Sequence, residues 1–132
     1  MKKSIEEWKK NLPPDVFQIL WDDGTEPPFT GKYVDETRKG IYHCAGCENR
    51  LFDSEDKFHS GSGWPSFTKP ISAKAIKKQL DLSLGMKRTE VRCALCGGHL
   101  GHVFDDGPQP EGKRYCINSK ALKFKKNDEK KR

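Results

Sequence analysis

Two C-x-x-C pairs, Cys44-Ala45-Gly46-Cys47 and Cys93-Ala94-Leu95-Cys96, set the strongest limit on how this chain folds. One such pair offers both sulfurs to a single metal ion. Two pairs supply the four thiolates of a closed tetrahedral zinc site. The chain between them must leave the metal, build structure and return, so one structural Zn2+ would staple two ends of a domain. A disulfide framework would need an oxidising compartment. The opening Met1-Lys2-Lys3 is not followed by the apolar stretch of a signal peptide. A thioredoxin-type motif needs one C-x-x-C beside a βαβ pattern, and none is visible. No run reaches membrane-spanning length. The expectation is a zinc protein of the cytoplasm with no membrane partner.

With 132 residues and 33% hydrophobic content, the chain suits one domain with a modest core. Such a core gains much from a metal crosslink. The net charge of +6 could suggest nucleic acid. Its location argues otherwise. Seven of the 25 basic side chains lie between Lys120 and Arg132, against only Asp128 and Glu129. A charge run of this kind is a solvated terminus. The expectation is a monomer that binds no nucleic acid.

Ser4-Ile5-Glu6-Glu7 has the form of a capping box, and Ile5, Trp8 and Leu12 follow at helical spacing. Pro13-Pro14 stops that helix, and Asp15 to Leu20 can form a second. Asp22 to Gly31 is rich in turn residues. The pattern then turns extended: Gly40 to Cys44, Leu51 to Asp53, Lys78 to Leu84, Thr89 to Cys93, His102 to Phe104, Arg114 to Asn118 and Ala121 to Phe124. In Lys78–Leu84 the leucines at 80, 82 and 84 share one face, with Asp81 and Ser83 on the other. Gly85-Met86 makes a turn that joins this strand to the next as a hairpin. Helices first and strands afterwards predict a mainly β domain, antiparallel, with a short N-terminal helical segment.

The fifth cysteine, Cys116, has no partner in either pair. On a strand, Arg114, Cys116 and Asn118 share a face. A cation beside a thiol favours the thiolate, and an amide can bind a polar oxygen. His99 and His102 follow the second metal pair closely, and a Cys with a nearby His is an activated-thiol arrangement. Gly97, Gly98 and Gly101 let that backbone bend or approach closely. Plainer readings stand beside these. A lone Cys also serves as packing, the histidines can ligate zinc, and Asn118 can satisfy a turn. In Ser60-Gly61-Ser62-Gly63-Trp64-Pro65-Ser66-Phe67, Trp64 either walls a ligand pocket or caps the core.

Gly63-Trp64-Pro65-Ser66-Phe67, His99-Leu100-Gly101-His102-Val103-Phe104, Asp106-Gly107-Pro108 and Arg114-Tyr115-Cys116-Ile117-Asn118-Ser119 resemble the signature segments of type B methionine sulfoxide reductases. The two C-x-x-C pairs match the zinc site of many members. The likeness runs from about Gly24 to Phe124. It implies two antiparallel sheets flanked by short helices. It divides the chain into an N-terminal helical segment (1–22), a reductase domain (23–124) and a basic tail (125–132). It implies reduction of the R epimer of methionine sulfoxide, an oxidative-stress repair activity on oxidised protein methionines and on free methionine sulfoxide.

By the same resemblance, Cys116 is the nucleophile, and His99, His102 and Asn118 are polar groups of the active site. Trp64 holds the substrate methyl group. Arg114 and Asp106 form a supporting pair, and Cys44, Cys47, Cys93 and Cys96 hold the metal. One position departs from the pattern. Many members place a resolving cysteine just before Gly-Trp-Pro, where this chain has Ser62. The expected chemistry is attack of the Cys116 thiolate on sulfur, with His102 giving a proton to the oxygen. Cys116 becomes a sulfenic acid, and an external thiol such as thioredoxin resets it. The rival class is a zinc-binding interaction module with a nucleic-acid-binding tail. That reading leaves Trp64, both histidines and Cys116 idle.

Overall fold

The computed structural model describes residues 5–21, 24–82, 87–109 and 112–126. Two short helices open the chain. Helix α1 (Ile5–Asn11) ends before Pro13, and α2 (Pro14–Trp21) begins on Pro14. Proline is tolerated at a first helical position because the N–H it lacks has no intrahelical partner there. Ser4, the expected cap of α1, lies outside the described residues.

Among the described residues nine strands follow: β1 (Gly40–Cys44), β2 (Arg50–Asp53), β3 (Lys57–Phe58), β4 (Ser66–Phe67), β5 (Ile76–Asp81), β6 (Arg88–Cys93), β7 (His99–Phe104), β8 (Arg114–Ile117) and β9 (Leu122–Lys126). All pair antiparallel. They form a three-stranded sheet in the order β2-β1-β9 and a six-stranded sheet in the order β3-β4-β8-β7-β6-β5. The mainly β reading with two antiparallel sheets and short helices is thus the observed architecture.

The sheets meet through aromatic rings. Phe52 from β2 stacks on Phe67 from β4 at 4.4 Å, and Tyr42 from β1 meets Phe67 edge-on at 5.1 Å. Tyr42, Phe52, Phe67, Leu100 and Ile117 are fully buried. Burying each such ring or aliphatic side chain contributes about 1.5–3 kcal/mol before entropy is counted. Leu20 of α2, also fully buried, lies against both metal-pair turns. A side chain at Gly46 or Gly98 would come within 3.2 or 3.0 Å of its methyl groups. The helices therefore brace the cysteine turns from outside.

The six-stranded sheet has two unlike faces. On β8, Tyr115 and Ile117 are buried in the core while Arg114 and Cys116 face the other way and are half-buried. The leucine alternation does not mark a core-facing strand. Leu80 and Leu82 are 56% and 64% exposed, and Asp81 is the residue that turns inward. Ile76 at the start of β5 is buried, so the strand leaves the core along its length. The hairpin joining β5 to β6 has the expected antiparallel register. Leu84 and the expected Gly85-Met86 turn lie outside the described residues.

Candidate active site and metal centre

The two cysteine turns are copies of one backbone device. Each begins at a strand end, Cys44 in β1 and Cys93 in β6. Cys44 N–H donates to Asn49 O at 2.8 Å, and Cys93 N–H donates to Gly98 O at 2.9 Å. Glu48 N–H and Gly97 N–H return to the Cys44 and Cys93 carbonyls. The residue that closes each turn is left-handed, with φ of 67° at Glu48 and 84° at Gly97. Glycine adopts that conformation freely; glutamate does so at a cost.

Facing each other, the turns bring the four sulfurs within 4.8 Å of one another. Cys44 Sγ is 3.7 Å from Cys96 Sγ, and Cys47 Sγ is 3.5 Å from Cys93 Sγ. Four thiolates about 2.3 Å from a tetrahedral zinc lie about 3.8 Å apart, so the tetrad fits such an ion. Gly98 N–H donates to Cys96 Sγ at 3.4 Å, which further orients the sulfur. Neither His99 nor His102 joins the tetrad. Four close cysteines can therefore hold one metal ion without help.

Cys116 lies apart from them, in a cleft of about 270 Å³. That is near the lower end of small-molecule pockets, roughly 300–1,000 Å³, and is scaled to one side chain. Its walls include Ser62, Trp64, His102, Phe104, Arg114 and Asn118. Strand register explains the grouping. His102 of β7 and Ser66 of β4 are the direct cross-strand partners of Cys116, and Phe104 is the partner of Arg114. Directly paired residues project from the same face of a sheet, with Cβ atoms about 4.5–5.5 Å apart. A side chain at Gly101 would fall 2.1 Å from the Cys116 carbonyl, so close strand approach there requires glycine.

The other expected site residues divide between cleft and support. His102 Nε2 lies 2.8 Å from Asp81 Oδ2. With Nε2–H engaged by the carboxylate, Nδ1 is the nitrogen left to exchange a proton. His99 is 2% exposed and packs behind His102, with ring centroids 5.5 Å apart. Its Nδ1 is held by Glu90 Oε2 at 2.6 Å. Arg114 makes a two-pronged pair with Asp106, at 2.8 and 3.1 Å, and its guanidinium lies over the Phe104 ring. That guanidinium holds the Asp106 carboxyl below its usual range. Burial pushes the Cys116 thiol up, outweighing the Ser62 contact and the Arg114 charge that pull it down. The cation expected to favour the thiolate does act that way, but desolvation acts more strongly.

Glu26 holds the cleft together and carries no sequence signal of its own. It is 2% exposed. Its carboxylate accepts from Ser119 N–H at 2.9 Å and Lys120 N–H at 3.0 Å. Its carbonyl accepts from the Trp64 indole at 2.9 Å, and its own N–H donates to Asn118 Oδ1 at 3.0 Å. Asn118 also gives one amide hydrogen to Leu100 O at 3.0 Å. An amide nitrogen has two hydrogens, so among the described partners one remains for the cleft. Asp81 and Glu90, which hold the two histidines, were equally silent. Glu26 and Asp81 lie far in sequence from the groups they hold, and no spacing rule reaches them; Glu90 reaches His99 from the adjacent strand.

The cleft thus brings two aromatic rings (Trp64 and Phe104) together with a thiol, an imidazole and an amide. This arrangement can hold a small group with one apolar and one strongly accepting side. The SelR domain model matches residues 12–126. The chain is 55% identical to a peptide methionine sulfoxide reductase MsrB of Leptospira interrogans, across 96% of each chain. It is 56% identical to the MsrB of Pseudomonas putida, over 96% of this chain and 95% of that one. It is 54% identical to an Escherichia coli MsrB, over 93% and 90%. With this agreement over nearly its whole length, the chain belongs to the type B methionine sulfoxide reductase family, through its SelR domain.

Proposed function

We propose that this chain reduces methionine R-sulfoxide, in proteins and as the free amino acid, through a Cys116 sulfenic acid. The observation that carries the reading is the register pair Cys116–His102 in a cleft walled by Trp64. The Cys116 thiolate attacks the sulfoxide sulfur. A proton from His102 goes to the oxygen, and methionine leaves. The substrate sulfur gains two electrons, Cys116 loses two, and the oxygen ends as Cys116–SOH. Trp64 and Phe104 take the S-methyl group, and Asn118 takes the oxygen. Opposed walls of this kind select one sulfur configuration. Turnover assayed on separate R and S sulfoxides with dithiothreitol tests this. Activity on the R form alone is expected, and equal rates on both would reject it.

The metal is one structural zinc, held by Cys44, Cys47, Cys93 and Cys96. When bound, it supplies folding energy and no step of the reaction. With those thiols committed, Cys116 has no internal thiol to reset it. An external thiol, thioredoxin or a small dithiol, reduces the sulfenic acid. Support comes from Ser62, whose hydroxyl stands 3.7 Å from the Cys116 sulfur, where many members of the family carry the resolving cysteine. Mass spectrometry after one turnover without reductant should find a trappable sulfenic acid and retained zinc. An internal disulfide with zinc ejected would overturn this route. Among the described residues no helix is long and apolar enough to cross a membrane. The proposed working form is a cytoplasmic monomer.

A further inference from the structure

Three serine hydroxyls run in a line away from the Cys116 sulfur. Ser62 Oγ lies 3.7 Å from Cys116 Sγ. Ser60 Oγ–H donates to Ser62 Oγ at 2.8 Å. Ser66 Oγ, fully buried, lies 2.7 Å from Ser60 Oγ, and its hydroxyl donates to the Trp64 carbonyl at 3.1 Å. Two backbone amides join the line. Ser62 N–H donates to Ser60 Oγ at 3.2 Å, and Trp64 N–H donates to Ser62 Oγ at 3.4 Å. Each is a Ser turn, in which an amide bonds to the hydroxyl two residues before it. The residues inside the turns, Gly61 and Gly63, are left-handed, with φ of 80° and 94°.

Counting hydrogens gives the line a direction. A hydroxyl has one hydrogen and two lone pairs. Ser62 Oγ already accepts from the Ser60 hydroxyl and from the Trp64 amide, so both lone pairs are used. Its own hydrogen is left for Cys116. Ser60 has spent its hydrogen on Ser62, and Ser66 divides its one hydrogen between the Trp64 carbonyl and Ser60. The two hydroxyls nearest the sulfur, Ser60 and Ser62, then point toward it. Donors in series polarise one another, which strengthens the last bond. A bond to an ionised acceptor is stronger than one to a neutral acceptor.

We propose that Ser62 is a catalytic residue that donates a hydrogen bond to the Cys116 thiolate, and that Ser60 is a positioning residue that fixes the direction of that bond. The residue that forecloses an internal disulfide thereby stabilises the nucleophile in its ionised form. The line offsets part of the burial that pushes the thiol up. This inference rests on Cys116 being the reactive thiol, and its test does not depend on the identity of the sulfoxide.

The test is the pH profile of iodoacetamide alkylation at Cys116, on full-length zinc-loaded protein, followed by mass spectrometry of the Cys116 peptide. Ser62→Ala should move the alkylation midpoint up by about one pH unit. Ser62→Thr, which keeps the hydroxyl, should hold it near the starting value. Ser60→Ala, which touches neither sulfur nor cleft, should move it up about half as far, and Ser60→Thr should restore it. A merely structural serine would alter melting temperature without moving this midpoint. An unmoved midpoint in Ser62→Ala would overturn the thiolate role. An unmoved midpoint in Ser60→Ala would overturn the directed line. If the alkylation shifts occur while sulfoxide turnover is absent, the proposed function fails and the hydroxyl line stands.

Discussion

Each cysteine turn closes on itself within six residues, Cys44 to Asn49 and Cys93 to Gly98, by its own backbone bonds. The cleft has no such local closure. Glu26 reaches residues 118, 119 and 120, Asp81 reaches His102, and Ser62 reaches Cys116. The metal end is therefore assembled from two nearly finished pieces, while the cleft exists only once both the sheet and the 24–31 loop are in place. Damage should follow that difference. A lesion at the metal end removes fold and activity together. A lesion in the cleft separates them.

The largest expected effects sit on either side of that divide. Cys44→Ser should release the metal and unfold the chain, because structural metal binding is folding energy. Cys116→Ser should abolish sulfoxide reduction while metal content and melting temperature stay close to wild type. Metal analysis and thermal melts on the two variants check this, and a metal-free variant with an unchanged melt would break the comparison. Next, His102→Ala should slow turnover by about 10²-fold, the scale of a lost general acid. Asp81→Asn, which leaves an uncharged amide beside His102 Nε2, should cost less.

Glu26→Ala tests whether the cleft can be loosened without touching the thiol. It strands the buried Ser119 N–H, worth about 1–3 kcal/mol, and the partly buried Lys120 N–H. Urea unfolding should show a loss of about 2–4 kcal/mol, with KM raised more than kcat falls as the loop whose Glu26 carbonyl holds the Trp64 indole loosens. Wild-type stability would mean that the carboxylate is dispensable. A subtler check is pH. Because burial raises the Cys116 thiol, less thiolate is present at neutral pH than in free cysteine. Alkylation of Cys116 should keep accelerating above pH 8.5, the ordinary midpoint. A plateau below that would contradict it. The smallest effect compares the two turns themselves. Glu48→Gly should raise the melting temperature by about 2 °C, since it removes left-handed strain. The surface pairs it forfeits with Lys123 and Lys125 contribute little.

These differences also explain what could be read from the sequence. The tetrad was legible because its ligands repeat at a fixed local spacing. The shared face of Arg114 and Cys116 was legible because strand alternation is local too. Asp81 runs against the local pattern, since Leu80 and Leu82 beside it face solvent while the acid faces the site. Which end of β5 is covered depends on the neighbouring elements, which no local pattern encodes. Glu26 was silent because its partners lie more than 90 residues downstream.

The cross-strand pairing of Cys116 with His102 has a consequence for how such a chain can change. Sheet periodicity is two residues, so adding or deleting one residue within β7 or β8 would send one partner into the core. Loops in this enzyme can lengthen or shorten while the Cys116–His102 pair stays aligned. The strands that carry the pair cannot. Indels tolerated in a random-insertion library should therefore gather away from 99–104 and 114–117, marking β7 and β8 by the gaps they leave.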